Sequence, residues 1–170
     1  MADYSNIYIT NIENETVKNK FFRHVLFTSG NQQLVVMSIK PKEDIPFEIH
    51  PNNDQFIRIE KGQGTLLVGP EKKSKYDLSD GIAFIIPANT WHQVINNSET
   101  EDLKLYTLYS PPHHPSGKID VNRPQSGGMC ACGKFVPSQS EGMCACGKFV
   151  TGRKNNMEKF LKLKNKNFLF

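Results

Sequence analysis

From Phe21 to about Tyr109, apolar and polar side chains come in short alternating runs broken by turn residues. The runs are FRHVLFT at 22–28, QQLVVMSI at 32–39, PFEIH at 46–50, QFIRIE at 55–60, GTLLVG at 64–69, SKYDL at 74–78, GIAFIIP at 81–87, WHQVIN at 91–96 and LKLYTLY at 103–109. Nearly all are rich in β-branched or aromatic residues, which suit a pleated, half-buried surface. Gly30, Gly62, Gly64, Gly69 and Gly81 punctuate them. No stretch of this region carries a helical period, and the gaps between runs leave little room for crossover helices. The pattern predicts an all-β, antiparallel sandwich or closed barrel.

After Ser110 the chain turns loop-like, with PPHHPSGKIDVNRPQSGG, and then repeats itself. The octapeptide MCACGKFV occurs at 129–136 and again at 143–150, a period of fourteen residues. Two copies are too few for a stacked solenoid, which needs about three or more. The last stretch places Met157, Phe160, Leu161 and Phe168 at near-helical spacing among lysines. The division expected is an N-terminal segment at 1–20, a barrel at 21–117, and a flexible appendage at 118–170 that holds the repeats and a Lys-rich end.

A chain of 170 residues suits one domain of this kind and not two. Its formal charge is +4, yet seven Lys or Arg against one Glu lie between Lys148 and Phe170, which leaves residues 1–147 at about −2. The basicity therefore belongs to the tail and gives the barrel no case for nucleic acid. No apolar run approaches the roughly 20 residues that cross a bilayer, and the first residues lack the order of a signal peptide. The expected address is the cytosol, with no membrane contact.

The chemistry concentrates in IPFEIHPNNDQFIRIEKGQG at 45–64 and DGIAFIIPANTWHQVIN at 80–96. Glu48 and His50 are two apart on an extended run, so both project from one face. Gln55 follows a turn at Pro51 to Asp54, and His92 follows one at Pro87 to Thr90. Four coordinating side chains can thus converge inside one barrel. Strand alternation turns Asp54 to the face opposite Gln55.

These segments resemble the two motifs of the cupin superfamily, in particular the small single-domain type 2 cupins of bacteria and viruses. In the first motif Lys42 stands at a Gly place, Glu48 at the first His, His50 matches, Gln55 stands at the Glu, and Gly62 matches. In the second, Gly81, Pro87, His92 and Asn96 match, and Asn89 takes a Gly place, a mild change because Asn tolerates the left-handed turn conformation. The resemblance covers about 21–117. It implies a double-stranded β-helix, the jelly-roll barrel of the RmlC-like proteins, holding one divalent metal ion between Glu48, His50, Gln55 and His92. Two imidazoles and one carboxylate form the set that holds non-haem iron with open positions. Gln55 supplies either a neutral oxygen or a hydrogen bond to bound water. Mixed N and O ligation suits Fe, Mn, Ni, Co or Zn without choosing among them.

By analogy the metal would bind a small oxygen-bearing molecule, as in a sugar-phosphate isomerase or a dioxygenase; the other reading is a module that binds a small molecule without turning it over. No catalytic acid and base pair stands out. His24, His113 and His114 lack ligand spacing and read as surface or loop residues. The face of WHQVIN away from His92 carries Trp91 and Ile95, which predicts cover by a terminal segment or, as the resemblance favours, a homodimer interface. The four cysteines, Cys130, Cys132, Cys144 and Cys146, are spaced Cys-x-Cys rather than as a zinc knuckle, which favours free thiols or occasional disulfides over a shared metal site.

Overall fold

The computed structural model describes residues 7–124 and the backbone of 127–129 and 135–137. A helix, α1 (Ile12–Lys18), precedes nine strands: β1 (Arg23–Thr28), β2 (Gln33–Ile39), β3 (Asp44–Glu48), β4 (Asp54–Lys61), β5 (Gln63–Val68), β6 (Ser74–Ser79), β7 (Ala83–Ile86), β8 (His92–Asn96) and β9 (Leu103–Ser110). Each overlaps one of the nine apolar runs, with β3 starting and ending two residues earlier than its run. Three short strands follow, β10 (Ile119–Asp120), β11 (Gly127–Met129) and β12 (Phe135–Pro137).

The strands form a sheet of order β10-β1-β2-β9-β4-β7 and a sheet of order β3-β8-β5-β6, with β11 and β12 as a separate hairpin. Neighbours pair antiparallel throughout. The chain passes from one sheet to the other at nearly every turn after β2, the winding that closes a double-stranded β-helix. The all-β jelly-roll barrel expected from the motifs is the observed fold.

Period-two alternation sorts each strand into an inner and an outer row. Rungs run across β2, β9 and β4: Met37, Leu105 and Ile59 in one, Val35, Thr107 and Ile57 in the next, Gln33, Tyr109 and Gln55 in the last. All nine are buried. The barrel is therefore apolar at the Leu105 end and polar at the Tyr109 end, where function would be carried.

Two departures from L-residue norms mark the motif turns. Asn89 has φ +62°, as its Gly-like position predicts, and Lys42, also at a Gly place, has φ +63°. Gly62 combines φ +95° with an approach in which a Cβ would sit 2.9 Å from the Asp102 carbonyl oxygen. Only glycine fits there.

The N-terminal segment holds more structure than its pattern announced. Asn11 caps α1 by accepting the Asn14 N–H at 3.0 Å, Glu13 and Glu15 occupy the first turn, and Lys18 the last. These are dipole-complementing positions. The helix rests on the outer side of β9, β2 and β4. At the other end, Ile119 and Asp120 pair with His24 and Arg23 of β1, and Arg23 meets Asp120 at 2.6 Å. Arg123 binds Asp44 at the edge of the second sheet. Cys130, Cys132, Cys144, Cys146 and the Lys-rich end lie outside the described residues.

Candidate metal centre

Pro46 has no N–H to give a ladder, and the chain meets this by placing it on β3, an edge strand, inside a bulge. The register runs from Ile45 opposite Val94 to Glu48 opposite His92, so β3 holds one residue more than β8 over that span. The bulge re-aims the end of the strand. β3 ends at Glu48, and His50 lies two residues beyond it rather than on the strand predicted at 46–50. The two side chains still share a face. The His50 carbonyl accepts the Asn89 N–H at 2.8 Å, which fastens the turn of the second motif to the end of the first. That contact is where the left-handed Asn89 is spent.

The structure brings together Glu48, His50 and His92, whose ligand atoms all lie within 4.8 Å of one another. Glu48 Oε1 is 3.2 Å from His50 Nε2 and 3.7 Å from His92 Nε2. Ligands about 2.1 Å from one ion stand about 3.0 Å apart at octahedral angles and about 3.4 Å at tetrahedral ones. The 3.2 Å separation falls within that range and the 3.7 Å one slightly beyond it, so a small closure of the His92 side would seat an ion. The chemistry also suits one: both Nε2 atoms are buried without a hydrogen-bond partner. His92 Nδ1 lies 2.9 Å from the Thr90 carbonyl oxygen. A carbonyl only accepts, so Nδ1 carries a proton, and it is Nε2 that would offer its lone pair to an ion at the centre.

Burial of the Glu48 carboxyl pushes its pKa up, but the charges of His50 and His92 and their close contacts outweigh this and hold it well below the usual range. The anionic ligand form is therefore the stable one.

Gln55 lies in the polar rung, fully buried, and donates from Nε2 to Tyr109 Oη at 3.0 Å. Its Oε1 has no partner. A neutral oxygen thus remains in the barrel mouth, available in either of the two roles expected of it. Asp54 is exposed and accepts the Ala88 N–H at 2.8 Å, a turn-stabilising contact on the face opposite Gln55. Asn96 is structural: its amide spans the carbonyls of Ile39 and Glu101.

Three residues were missed by pattern reading. His113 and His114 are loop residues, as expected, but they are half-buried and fold over the mouth of the barrel instead of lying on the surface. The His113 ring centroid is 4.4 Å from that of His50 and 5.2 Å from Tyr109, on which it stacks. His114 packs edge-on against Tyr109. Burial and the charge of His50 bring the His113 pKa down to about 4, and burial and Arg23 bring that of His114 down to about 2. The third is Gln33, fully buried beside Tyr109, whose Oε1 accepts the backbone N–H of both histidines at 3.2 and 2.8 Å. Tyr109 itself was readable as the inward end of β9, and burial holds its hydroxyl protonated well above the ordinary range.

On the outer face Trp91 stacks on Phe47 at 4.8 Å, and Lys72 lies over the Phe47 ring. Trp91 and Ile95 are both half-buried within the chain itself.

An antiparallel double-stranded β-helix with two motif segments meeting at a Glu–His–His cluster defines a cupin. The chain belongs to the cupin superfamily, and residues 35–109 match the family model described as the cupin domain. It is 57% identical over 128 residues to an uncharacterized protein, L612, of Acanthamoeba polyphaga mimivirus, covering 75% of this chain and 80% of that one. To the uncharacterized protein YrkC of Bacillus subtilis it is 44% identical over 115 residues, 66% of this chain and 61% of that one. Among solved structures, the protein BH2720 of Bacillus halodurans superposes with a TM-score of 0.66 at 40% identity, covering 71% of this chain and 94% of that one.

Proposed function

We propose that the protein binds one divalent metal ion through Glu48, His50 and His92, with Gln55 as a fourth oxygen or as the anchor of a bound water. A small oxygen-bearing molecule would occupy the remaining positions. One observation carries this reading: two buried imidazole nitrogens, neither with a hydrogen-bond partner, and an ionised carboxylate oxygen converge within 4.8 Å of one another. Such a group of unsatisfied atoms is costly unless a cation offsets it.

When bound, the ion would polarise an oxygen of the ligand, the chemistry suited to a sugar-phosphate type of isomerase or to a dioxygenase. The side chains beside the triad are Tyr109, His113 and His114, which pack on His50 or on one another, and Gln55, which is bonded to Tyr109; a ligand at the ion would meet these groups. The cytosol is the proposed location and a homodimer the proposed assembly, its interface on the side of Trp91 and Ile95. Among the described residues no helix is long and apolar enough to cross a membrane.

Elemental analysis of protein purified without a polyhistidine tag should find about one equivalent of Fe, Mn, Ni, Co or Zn per chain, and His92→Ala should lose most of it. Full occupancy in a Glu48→Ala, His50→Ala, His92→Ala variant would remove the metal from this site. With the native metal known, incubation with small hydroxylated and keto compounds separates turnover from binding alone. Product marks an enzyme, and a thermal shift without product marks a binding module.

A further inference from the structure

A metal-bound imidazole presents its second ring nitrogen as an N–H donor, and that donor is nearly always held by a carboxylate, a carbonyl or a water. The two histidines of this centre differ in that respect. His92 gives its Nδ1–H to the Thr90 carbonyl. His50 Nδ1 is buried and has no partner.

Three rings surround His50. His92 has both nitrogens committed, one to Thr90 and one to the centre. Tyr109 stands perpendicular to His50 and its oxygen already receives the Gln55 N–H. His113 is the nearest, with its ring at 65° to His50, and a neutral imidazole carries one acceptor nitrogen.

The backbone around His113 is built to hold it there. Gln33 Oε1 takes the N–H groups of His113 and His114, while Gln33 Nε2 donates to the His114 carbonyl at 2.7 Å and to Thr28 Oγ1 at 2.9 Å. Asn53 donates to the Pro111 carbonyl at 2.6 Å, at the start of the same loop. A fully buried glutamine spending both ends of its amide on one loop is a positioning device, since each of those bonds would be lost to an apolar residue of the same size.

We propose that His113 is the outer partner of the metal-bound His50, accepting its Nδ1–H, and that Gln33 is the positioning residue that presents it. The inference rests on the metal reading above. It assigns a role to a histidine outside both sequence motifs.

The test compares Co(II) affinity, by competition with a chromophoric chelator, in the wild type, His113→Ala, His113→Asn and Gln33→Leu. Loss of such an outer partner weakens metal binding about 10- to 100-fold. His113→Ala and Gln33→Leu should both show that loss, and His113→Asn, which keeps an acceptor, should recover most of it. Proton NMR of the Co(II) protein supplies a signature that a merely structural role would not move. Two exchangeable, paramagnetically shifted imidazole N–H signals are expected in the wild type, and only the Thr90-bonded one in His113→Ala. Wild-type affinity with both signals intact in His113→Ala would overturn the inference while leaving the metal centre standing. A wild type that takes up no Co(II) would overturn the metal reading and this inference with it.

Discussion

Removing the two imidazoles while keeping the carboxylate should cost more stability than removing all three groups together. In the metal-free protein the negative charge of Glu48 is offset by His50 at 3.2 Å and His92 at 3.7 Å. The Glu48 side chain is only 16% exposed. In His50→Leu/His92→Leu that charge would be left among apolar side chains. The carboxyl could then relieve itself only by protonation, because burial, which already pushes its pKa up, would act unopposed. Breaking a buried pair by removing one side costs about 3–5 kcal/mol, whereas replacing both sides with apolar groups is close to neutral or stabilising. Discounted for the partial exposure of Glu48, the double variant should lose about 2–3 kcal/mol at pH 7. Adding Glu48→Leu should recover most of it, less about 1 kcal/mol for the lost His92–Thr90 bond. Urea denaturation of chelator-treated samples measures all three proteins, and the deficit of the double variant should shrink toward pH 4 as the carboxyl protonates. A triple variant no more stable than the double, or a deficit independent of pH, would refute the electrostatic account of the site.

The mouth histidines predict an acid-sensitive fold: their pKa values, lowered to about 4 for His113 and about 2 for His114, mean that below pH 6.5 the unfolded chain takes up protons the folded one excludes. Stability of the chelator-treated protein should therefore fall as pH drops from 6.5, by at most about 1.4 kcal/mol per pH unit per histidine, and His113→Asn/His114→Asn should flatten that slope in a urea titration. Lys42, held at φ +63°, pays about 1–2 kcal/mol that glycine would not, against about 0.5–1 kcal/mol of chain entropy that glycine adds. Lys42→Gly should leave the melting temperature equal or higher and Lys42→Val should lower it. A homodimer through the Trp91 and Ile95 face should give about twice the chain mass in light scattering, and a monomer at tens of micromolar would rule it out.

Most of the barrel was legible in order. Alternation over FRHVLFT through LKLYTLY marks every strand of the two sheets up to β9, because a half-buried strand writes its period directly into its side chains. The helix was less legible. Ile12 and Val17 are the only apolar residues of the helix and Val17 is exposed, so no apolar stripe marks it; the readable signals were its ends, an Asn cap with acids in the first turn and Lys in the last.

The sequence by itself determined the motif residues, the glycine-like turn at Asn89, and the grouping of Glu48, His50 and His92, because fixed offsets around tight turns leave strand ends few directions in which to point. The tertiary structure alone decided what surrounds them. Gln33 is 80 residues from His113 along the chain, and Gln55 is 54 from Tyr109. No local period connects such pairs. They meet because antiparallel register sets Gln33, Tyr109 and Gln55 on one rung, and the loop after β9 must then close over that polar end of the barrel. A buried amide finds its partners through the closure of the sheet, which is a property of the whole chain.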